Sequence, residues 1–89
     1  MTDYSSYFGN TTLNGGSTGI AVKNLQIALH HLGYLSVFIA GIGGLPLTTA
    51  IKAFQVGAGL IADGQAGTLT KLKLWEAIGG APLPGMEMI

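Results

Sequence analysis

Apolar residues recur at helical spacing in three segments of the chain. The first segment ends at Gly33, and its apolar positions are Val22, Leu25, Leu29 and Leu32. Steps of three and four residues place these side chains on one face of a helix. We expect Ser17 or Thr18 to cap this helix, because their hydroxyls can accept hydrogen bonds from its first amides. Gly33 can adopt the left-handed conformation in which many helices end.

The second segment is predicted to begin near Pro46–Thr48, since proline is tolerated in a first helical turn. Its inner face comprises Ala50, Ile51, Phe54 and Ala58, and Gly57 or Gly59 is expected to end it. Residues 34–40 are apolar and partly β-branched, so we predict an extended connector that crosses beneath the helices.

The third segment begins at or shortly after Thr68 and runs to Ile78, with Gly79 and Gly80 beyond it. Its inward positions are predicted to be Leu69, Leu72, Trp75 and Ile78. Together the segments predict an all-α fold, a small three-helix bundle over residues 20–79. Residues 1–19 would form a polar and aromatic N-terminal arm, and residues 80–89 an apolar tail extended by its prolines.

An internal repeat precedes the second and third helices. Residues 40–47 occupy the same place before one helix as residues 63–70 occupy before the next, which predicts a pseudo-twofold design. In the later copy Asp63 is expected to accept hydrogen bonds from amides two residues on, and Thr68 or Thr70 to cap the helix. Gly64 and Gly67 would supply unusual backbone angles. The earlier copy keeps Gly41 and Gly44, but Ala40 and Leu47 replace the aspartate and the threonine.

The ordered landmarks of these segments resemble a known family. They are Leu25-Gln26, Leu32-Gly33-Tyr34, Phe54-Gln55, Gly59-Leu60 and the Asp-Gly-x-x-Gly-x-x-Thr turn of residues 63–70. This series is similar to the small three-helix peptidoglycan-binding domain of bacterial wall hydrolases and phage lysins, and it covers roughly residues 20–78. The chain departs from the family at Ala40, Gly43 and Leu47, where the family has an aspartate, an aromatic residue and a threonine.

The resemblance implies a binding module with affinity for the glycan or the stem peptides of the bacterial cell wall. The ligand would lie in a groove between helices, lined by Gln26, Tyr34, Phe54, Gln55, Asp63, Gly64, Gly67 and Thr70. Two interpretations of Gln26 and Gln55 remain open: hydrogen bonds to the connector backbone, or contact with the ligand. Tyr34 is likewise either a core residue or a surface for recognition.

Composition narrows the choice of partners. Four lysines and four carboxylates cancel, and charged residues make up only 9% of the chain against 48% hydrophobic residues. Typical domains carry about 25% charged residues. A nucleic-acid partner is therefore not expected. Such a chain is either an alanine- and glycine-rich bacterial domain or a subunit whose surface is covered by neighbours.

Catalysis, metal binding and membrane insertion are not expected. The four carboxylates fall in separate parts of the chain, and there is no cysteine nucleophile and no serine in an elbow motif. His30 and His31 are adjacent, so they diverge by about 100° around a helix and are poorly placed to share a metal ion. Neither a bound cofactor nor a span of about 20 apolar residues is predicted.

Two hypotheses of function follow. The first is a non-catalytic module that binds peptidoglycan, for which a phage particle is one place of attachment. The second is a structural subunit of a virion or related assembly, in which the fold serves contacts with other proteins. Because residues 1–19 lack a basic and apolar leader, we expect a protein assembled into a phage particle or similar body in the cytoplasm, acting at the cell wall.

Overall fold

In the computed structural model, which describes residues 3–89, the chain forms four α-helices. They are α1 (Ser5–Phe8), α2 (Ile20–His31), α3 (Gly44–Gly57) and α4 (Thr68–Ala77). Helix α2 is central and contacts each of the other three. The described residues contain only isolated β-bridges and no strand. The predicted all-α fold with three main helices is confirmed.

The core forms on the predicted faces of α2 and α3. Val22, Leu25 and Leu29 are fully buried on α2, and Ala50, Ile51 and Phe54 are buried on α3. Helix α3 begins at Gly44, two residues before Pro46, and so brings Leu47 into the core as well.

Helices α2 and α3 end in the same way, at a glycine with positive φ. Gly33 has φ 88° and Gly59 has φ 74°. The next residue then bonds back across the last turn, from Tyr34 N to Leu29 O at 2.9 Å and from Leu60 N to Gln55 O at 2.8 Å. This pairing is the Schellman motif, which satisfies carbonyl groups left free at a helix end.

Helix α4 presents a different face to the core from the predicted one. Leu69 and Leu72 are 57% and 40% exposed, whereas Leu74 is fully buried and Lys71 is 2% exposed. The Lys71 ammonium donates hydrogen bonds to the carbonyl oxygens of Gly9 and Thr11. The apolar pattern predicts Lys71 on the solvent-facing side of the helix, whereas the structure buries it. Trp75 is buried as predicted.

The N-terminal arm contributes to the core through α1. Phe8 is fully buried and Tyr7 nearly so. The Tyr7 ring stacks on Trp75 with centroids 5.6 Å apart, and Phe8 meets Trp75 edge-on at 6.0 Å. Because four residues carry no helical period, the sequence pattern did not reveal this helix.

Residues 13–19 tie the two repeated turns together. Leu13 and Ala66 exchange backbone hydrogen bonds, and Gly19 N donates to Gly41 O at 2.9 Å. The residue before α2 is Gly19, with no side-chain cap. The predicted capping by Ser17 or Thr18 is therefore wrong, and Ser17 Oγ instead accepts a hydrogen bond from Asn14 N at 3.0 Å.

The C-terminal tail packs on the chain's own helices. Glu87 exchanges hydrogen bonds with the fully buried Asn24 side chain, N to Oδ1 at 3.0 Å and Nδ2 to O at 2.7 Å. Ile89 N donates to Ser6 O at 2.8 Å, and Met86 packs against the core. The apolar tail thus has a docking surface within this molecule.

The connector of residues 34–40 lies largely at the surface, contrary to the prediction that it crosses beneath the helices. Leu35 is buried and Phe38 is half-buried, whereas Val37 and Ile39 are 82% and 70% exposed.

Candidate binding site

A buried glutamine organises the intact turn before α4. Gln55 is 1% exposed. Its Nε2 donates to Asp63 Oδ1 at 3.0 Å, to Gln65 O at 3.0 Å and to Thr70 Oγ1 at 3.1 Å. Its Oε1 accepts from Gly64 N at 3.0 Å. One side chain therefore fixes both ends of the turn.

Asp63 holds its own turn as predicted. Its Oδ1 accepts a hydrogen bond from Gln65 N at 2.9 Å, in addition to that from Gln55. These two donors, Gln65 first, lower the pKa of the Asp63 carboxyl below its ordinary value of 3.8. The carboxylate is exposed to solvent and ionised at neutral pH.

The predicted threonine cap is wrong. Gly67 precedes α4, and no side chain caps the helix there. Thr68 is the first residue of the helix, and the Thr70 hydroxyl is buried against Gln55 instead.

The degenerate first turn keeps the same shape without polar side chains. Gln26 is fully buried; its Nε2 donates to Ile39 O at 3.1 Å and Ile42 O at 2.9 Å, and its Oε1 accepts from Gly41 N at 2.9 Å. The carbonyl of Ile39 takes the place of the aspartate and threonine oxygens of the other turn. Both glutamines thus form hydrogen bonds to the backbone of the turns, as one of the two interpretations predicts.

A groove of about 310 Å³ opens beside the intact turn. Its lining comprises Gln55, Leu60, Ile61, Asp63, Gln65, Gly67, Thr68, Leu69 and Thr70. Ile61 and Leu69 are exposed, so apolar side chains border a floor of amide, hydroxyl and carboxylate groups. A floor of this kind with apolar walls is typical of sites for small polar ligands.

The eight predicted site residues do not share this one groove. Gln55, Asp63, Gly67 and Thr70 line it, and Gly64 lies buried beneath as a partner of Gln55. Tyr34 and Phe54 line a second depression of about 320 Å³ between the ends of α2 and α3 and the side of α4. Their rings meet edge-on at 5.7 Å. Gln26 lies in neither, because it is buried under the first turn.

An apolar patch surrounds the first turn, and sequence reasoning did not anticipate it. Its exposed members are Val37, Ile39, Ile42 and Leu45. A depression of about 260 Å³ lies between them, and no charged side chain lines it. The signal was present in the sequence, since residues 35–47 contain no charged residue.

Two negative findings apply to residues 3–89. No three histidine, aspartate or glutamate side chains come close enough together to hold a metal ion. None of the helices combines the length and the apolar character needed to cross a bilayer.

Known proteins share this sequence and fold. The model of the family described as "Putative peptidoglycan binding domain" matches residues 18–74. A spore cortex-lytic enzyme of Oceanobacillus iheyensis is 36% identical over 70 residues, which make up 79% of this chain and 25% of the enzyme. The chain thus spans about a quarter of the length of that curated relative.

Solved structures show the same similarity. The crystal structure of the SleB N-terminal domain superposes with a TM-score of 0.74 at 34% identity, over 76% of this chain and 93% of that one. The Burkholderia AP3 phage endolysin gives a TM-score of 0.63 at 36% identity, over 83% of this chain and 27% of the endolysin. Because the family model matches more than half of the chain, the chain belongs to the peptidoglycan-binding domain family.

Proposed function

We propose that this chain binds bacterial peptidoglycan without cleaving it, and that the groove beside the Asp63–Thr70 turn is where the wall polymer binds. The observation that carries the proposal is the groove itself. It lies beside residues 63–70, the copy of the repeated turn that retains its polar side chains. Its floor offers hydrogen-bonding groups of both kinds, as an amide- and hydroxyl-rich polymer requires.

Membership of the family and similarity to a cortex-lytic enzyme support a ligand in the cell wall. The module would then hold a protein at its polymer, and chemistry on that polymer would belong to other domains or other chains. Tyr34 and Phe54, in the second depression, remain predicted contacts for a longer stretch of wall polymer. The role of Gln26, Gln55 and Gly64 is to hold the backbone of the turns in shape.

The test uses a matched pair of substitutions on α4. Leu69 lines the groove and Leu72 does not, although both are exposed leucines of the same helix. In a pull-down with purified sacculi, we expect Leu69→Lys to lose most of the bound protein, since a lysine there fills the groove and approaches Asp63. Leu72→Lys adds the same charge and should bind like the unsubstituted protein. No enrichment of the unsubstituted protein over a scrambled control, or equal loss in both variants, would refute wall binding in this groove.

A second candidate function is attachment to other proteins, including a place on a phage particle. The apolar patch at Val37, Ile39, Ile42 and Leu45 favours it, since exposed apolar surface that lacks charge often marks a protein contact. Similarity to a phage endolysin adds a setting in which such a module meets the wall. The patch lies at the other repeated turn from the groove, so one molecule can have both functions.

Sedimentation velocity tests this second candidate. The protein should self-associate or bind its partner subunits at micromolar concentration, and Val37→Lys with Ile39→Lys should abolish that association. Both side chains are mostly solvent-exposed, so the double variant should keep the thermal stability of the parent. A parent that sediments as a monomer and binds no virion protein would refute the candidate.

A further inference from the structure

One oxygen of the Asp63 carboxylate is left free at the groove. Oδ1 accepts the hydrogen bonds from Gln55 and Gln65, while Oδ2 has no hydrogen-bond donor among residues 3–89. No lysine of this part of the chain lies within ion-pair distance of Asp63. The aliphatic chain of Lys52 runs past Gly64, but its ammonium does not pair with the carboxylate. The negative charge of Asp63 is therefore fixed in position by its turn and has no ion-pair partner among residues 3–89.

The rest of the groove narrows the class of ligand. Asp63 is the single charged side chain of the lining, and the lining contains no aromatic ring. Aromatic rings supply the flat apolar faces on which such sites commonly hold ring-shaped ligands. The walls here are instead the branched aliphatic side chains of Leu60, Ile61 and Leu69, which suit small methyl-bearing groups.

We infer that the groove binds the peptide portion of peptidoglycan, with Asp63 Oδ2 accepting a hydrogen bond from a primary ammonium group of an uncrosslinked stem peptide. The inference rests on the proposed wall-binding function and specifies its ligand: an extended peptide of small residues that carries one free amine. The alanine methyl groups of such a peptide would pack on Ile61 and Leu69. Its backbone amides would meet the polar groups of the floor.

Charge complementarity is the basis of the inference. An ion-assisted hydrogen bond is roughly twice as strong as a neutral one. The carboxylate needs no rearrangement to make it, because Gln55 and Gln65 already orient Oδ1. A ligand that lacks the cation would leave the charge of Asp63 without a partner and would lose this contribution.

The experiment measures binding of defined probes by isothermal titration calorimetry. The probe is the tetrapeptide L-Ala-γ-D-Glu-meso-diaminopimelate-D-Ala acetylated at its N-terminus, so that its one free amine is on the side chain of the third residue. It is compared with the same peptide acetylated on that side-chain amine as well. Chitotetraose serves as the glycan probe. The test variant is Asp63→Asn, which keeps an oxygen for the two hydrogen bonds of the turn and removes the charge. Glu76→Gln removes one exposed carboxylate that does not line the groove, and controls for net charge.

We expect the free-amine peptide to bind the parent and Glu76→Gln alike, and to bind Asp63→Asn about tenfold more weakly. Acetylation should weaken binding to the parent by a similar factor and have little effect on Asp63→Asn. Equal binding of the two peptides, equal binding by Asp63→Asn, or preference for chitotetraose would overturn the inference.

Failure of this inference is distinguishable from failure of the wall-binding proposal. If the parent and Asp63→Asn bind sacculi equally, wall binding stands and the ammonium contact is refuted. If the parent binds no sacculi and no peptide, both are refuted. Thermal unfolding of Asp63→Asn close to that of the parent verifies that the turn is intact.

Discussion

Individual side chains do two different jobs at the repeated turns. Gln26 and Gln55 are buried and hold backbone, whereas Asp63 combines a structural oxygen with one that faces solvent. A buried amide is costly to leave unpaired, so each glutamine bonds at both ends of its side chain. The same residue type on the surface has no comparable role, and this difference can be measured.

Replacement of Gln55 should destabilise the fold far more than replacement of Gln65. In Gln55→Ala the buried amide of Gly64 loses its acceptor and the turn loses its central donor, and we expect a loss of about 2–4 kcal/mol in the free energy of unfolding. Gln65 is exposed, so Gln65→Ala should cost about 0.5 kcal/mol. Urea denaturation of both variants measures the difference. Similar losses would contradict the assigned role of Gln55.

Lys71 provides a pH-dependent signature. Burial lowers the pKa of its ammonium below the ordinary 10.5. Between the two pKa values the unfolded chain binds more protons than the folded one, so this group makes stability rise with pH in that interval. We therefore expect the free energy of unfolding of the parent, relative to Lys71→Met, to increase as the pH approaches 10.5 from below.

Urea denaturation of the parent and of Lys71→Met at a series of pH values measures this difference. A difference between the parent and Lys71→Met that stays flat or falls over the same pH interval would show that the Lys71 ammonium is not held in the folded protein as described.

At the scale of elements, α4 shows where sequence pattern is insufficient. The apolar spacing predicts an inner face of Leu69, Leu72, Trp75 and Ile78, but the structure buries Lys71 and Leu74 and leaves Leu69 and Leu72 partly exposed. Nothing in the sequence marks this lysine, since its acceptors are backbone carbonyls about sixty residues earlier. By contrast, the faces of α2 and α3 and the glycine ends of the helices followed from local spacing alone.

A pair of leucine truncations tests the orientation of α4. Leu74→Ala should lower the free energy of unfolding by about 2–5 kcal/mol, the range for a buried leucine that leaves a cavity. Leu72→Ala should cost less, about 1 kcal/mol, because its side chain is only partly covered. Guanidinium denaturation followed by Trp75 fluorescence measures both. The reverse order would restore the orientation predicted from the apolar spacing.

The C-terminal tail belongs energetically to the body of the molecule. Removal of residues 86–89 leaves the buried Asn24 without its two hydrogen bonds to Glu87, and we expect a loss of about 2–4 kcal/mol. Glu87→Ala keeps those backbone bonds and removes only the exposed ion pair with Lys23, worth about 0.2–1 kcal/mol. Thermal unfolding compares the two variants. A truncated chain as stable as the parent would mean that the tail is free to dock elsewhere.

Across the whole molecule, the N-terminal segment of residues 3–19 links the three main helices to one another. It covers Lys71, places Phe8 against Trp75 and joins both repeated turns through backbone hydrogen bonds. The sequence pattern predicted the three helices and the family, because these depend on local spacing. It missed these long-range contacts, and it merged two depressions into one groove, since Phe54 and Gln55 are adjacent in the sequence but line separate depressions.

We predict that residues 20–79 alone do not fold cooperatively. A domain of this length is stabilised by about 4–13 kcal/mol in total, and the loss of one buried phenylalanine can cost about 3–5 kcal/mol. The fragment lacks Phe8 and Leu13 from the core. Circular dichroism during heating should show a broad, shallow change, in contrast to the sharp transition of a fragment spanning residues 3–89. A cooperative transition in the shorter fragment would place the domain boundary at residue 20.

In the first turn, residues 40–47, the backbone shape does not depend on the chemistry of the exposed side chains. Gln26 holds it through backbone atoms only, so the exposed side chains of Ala40 and Ile42 take no part in the hydrogen bonds that fix its shape. Substitutions of these two side chains should therefore cost little in folding, whereas Gly41 and Gly44 are fixed by positive φ and Gly43 by the close approach of Leu47. Ala40 and Ile42 are practical positions at which to graft recognition side chains onto the domain while the turn at Asp63 is left unchanged.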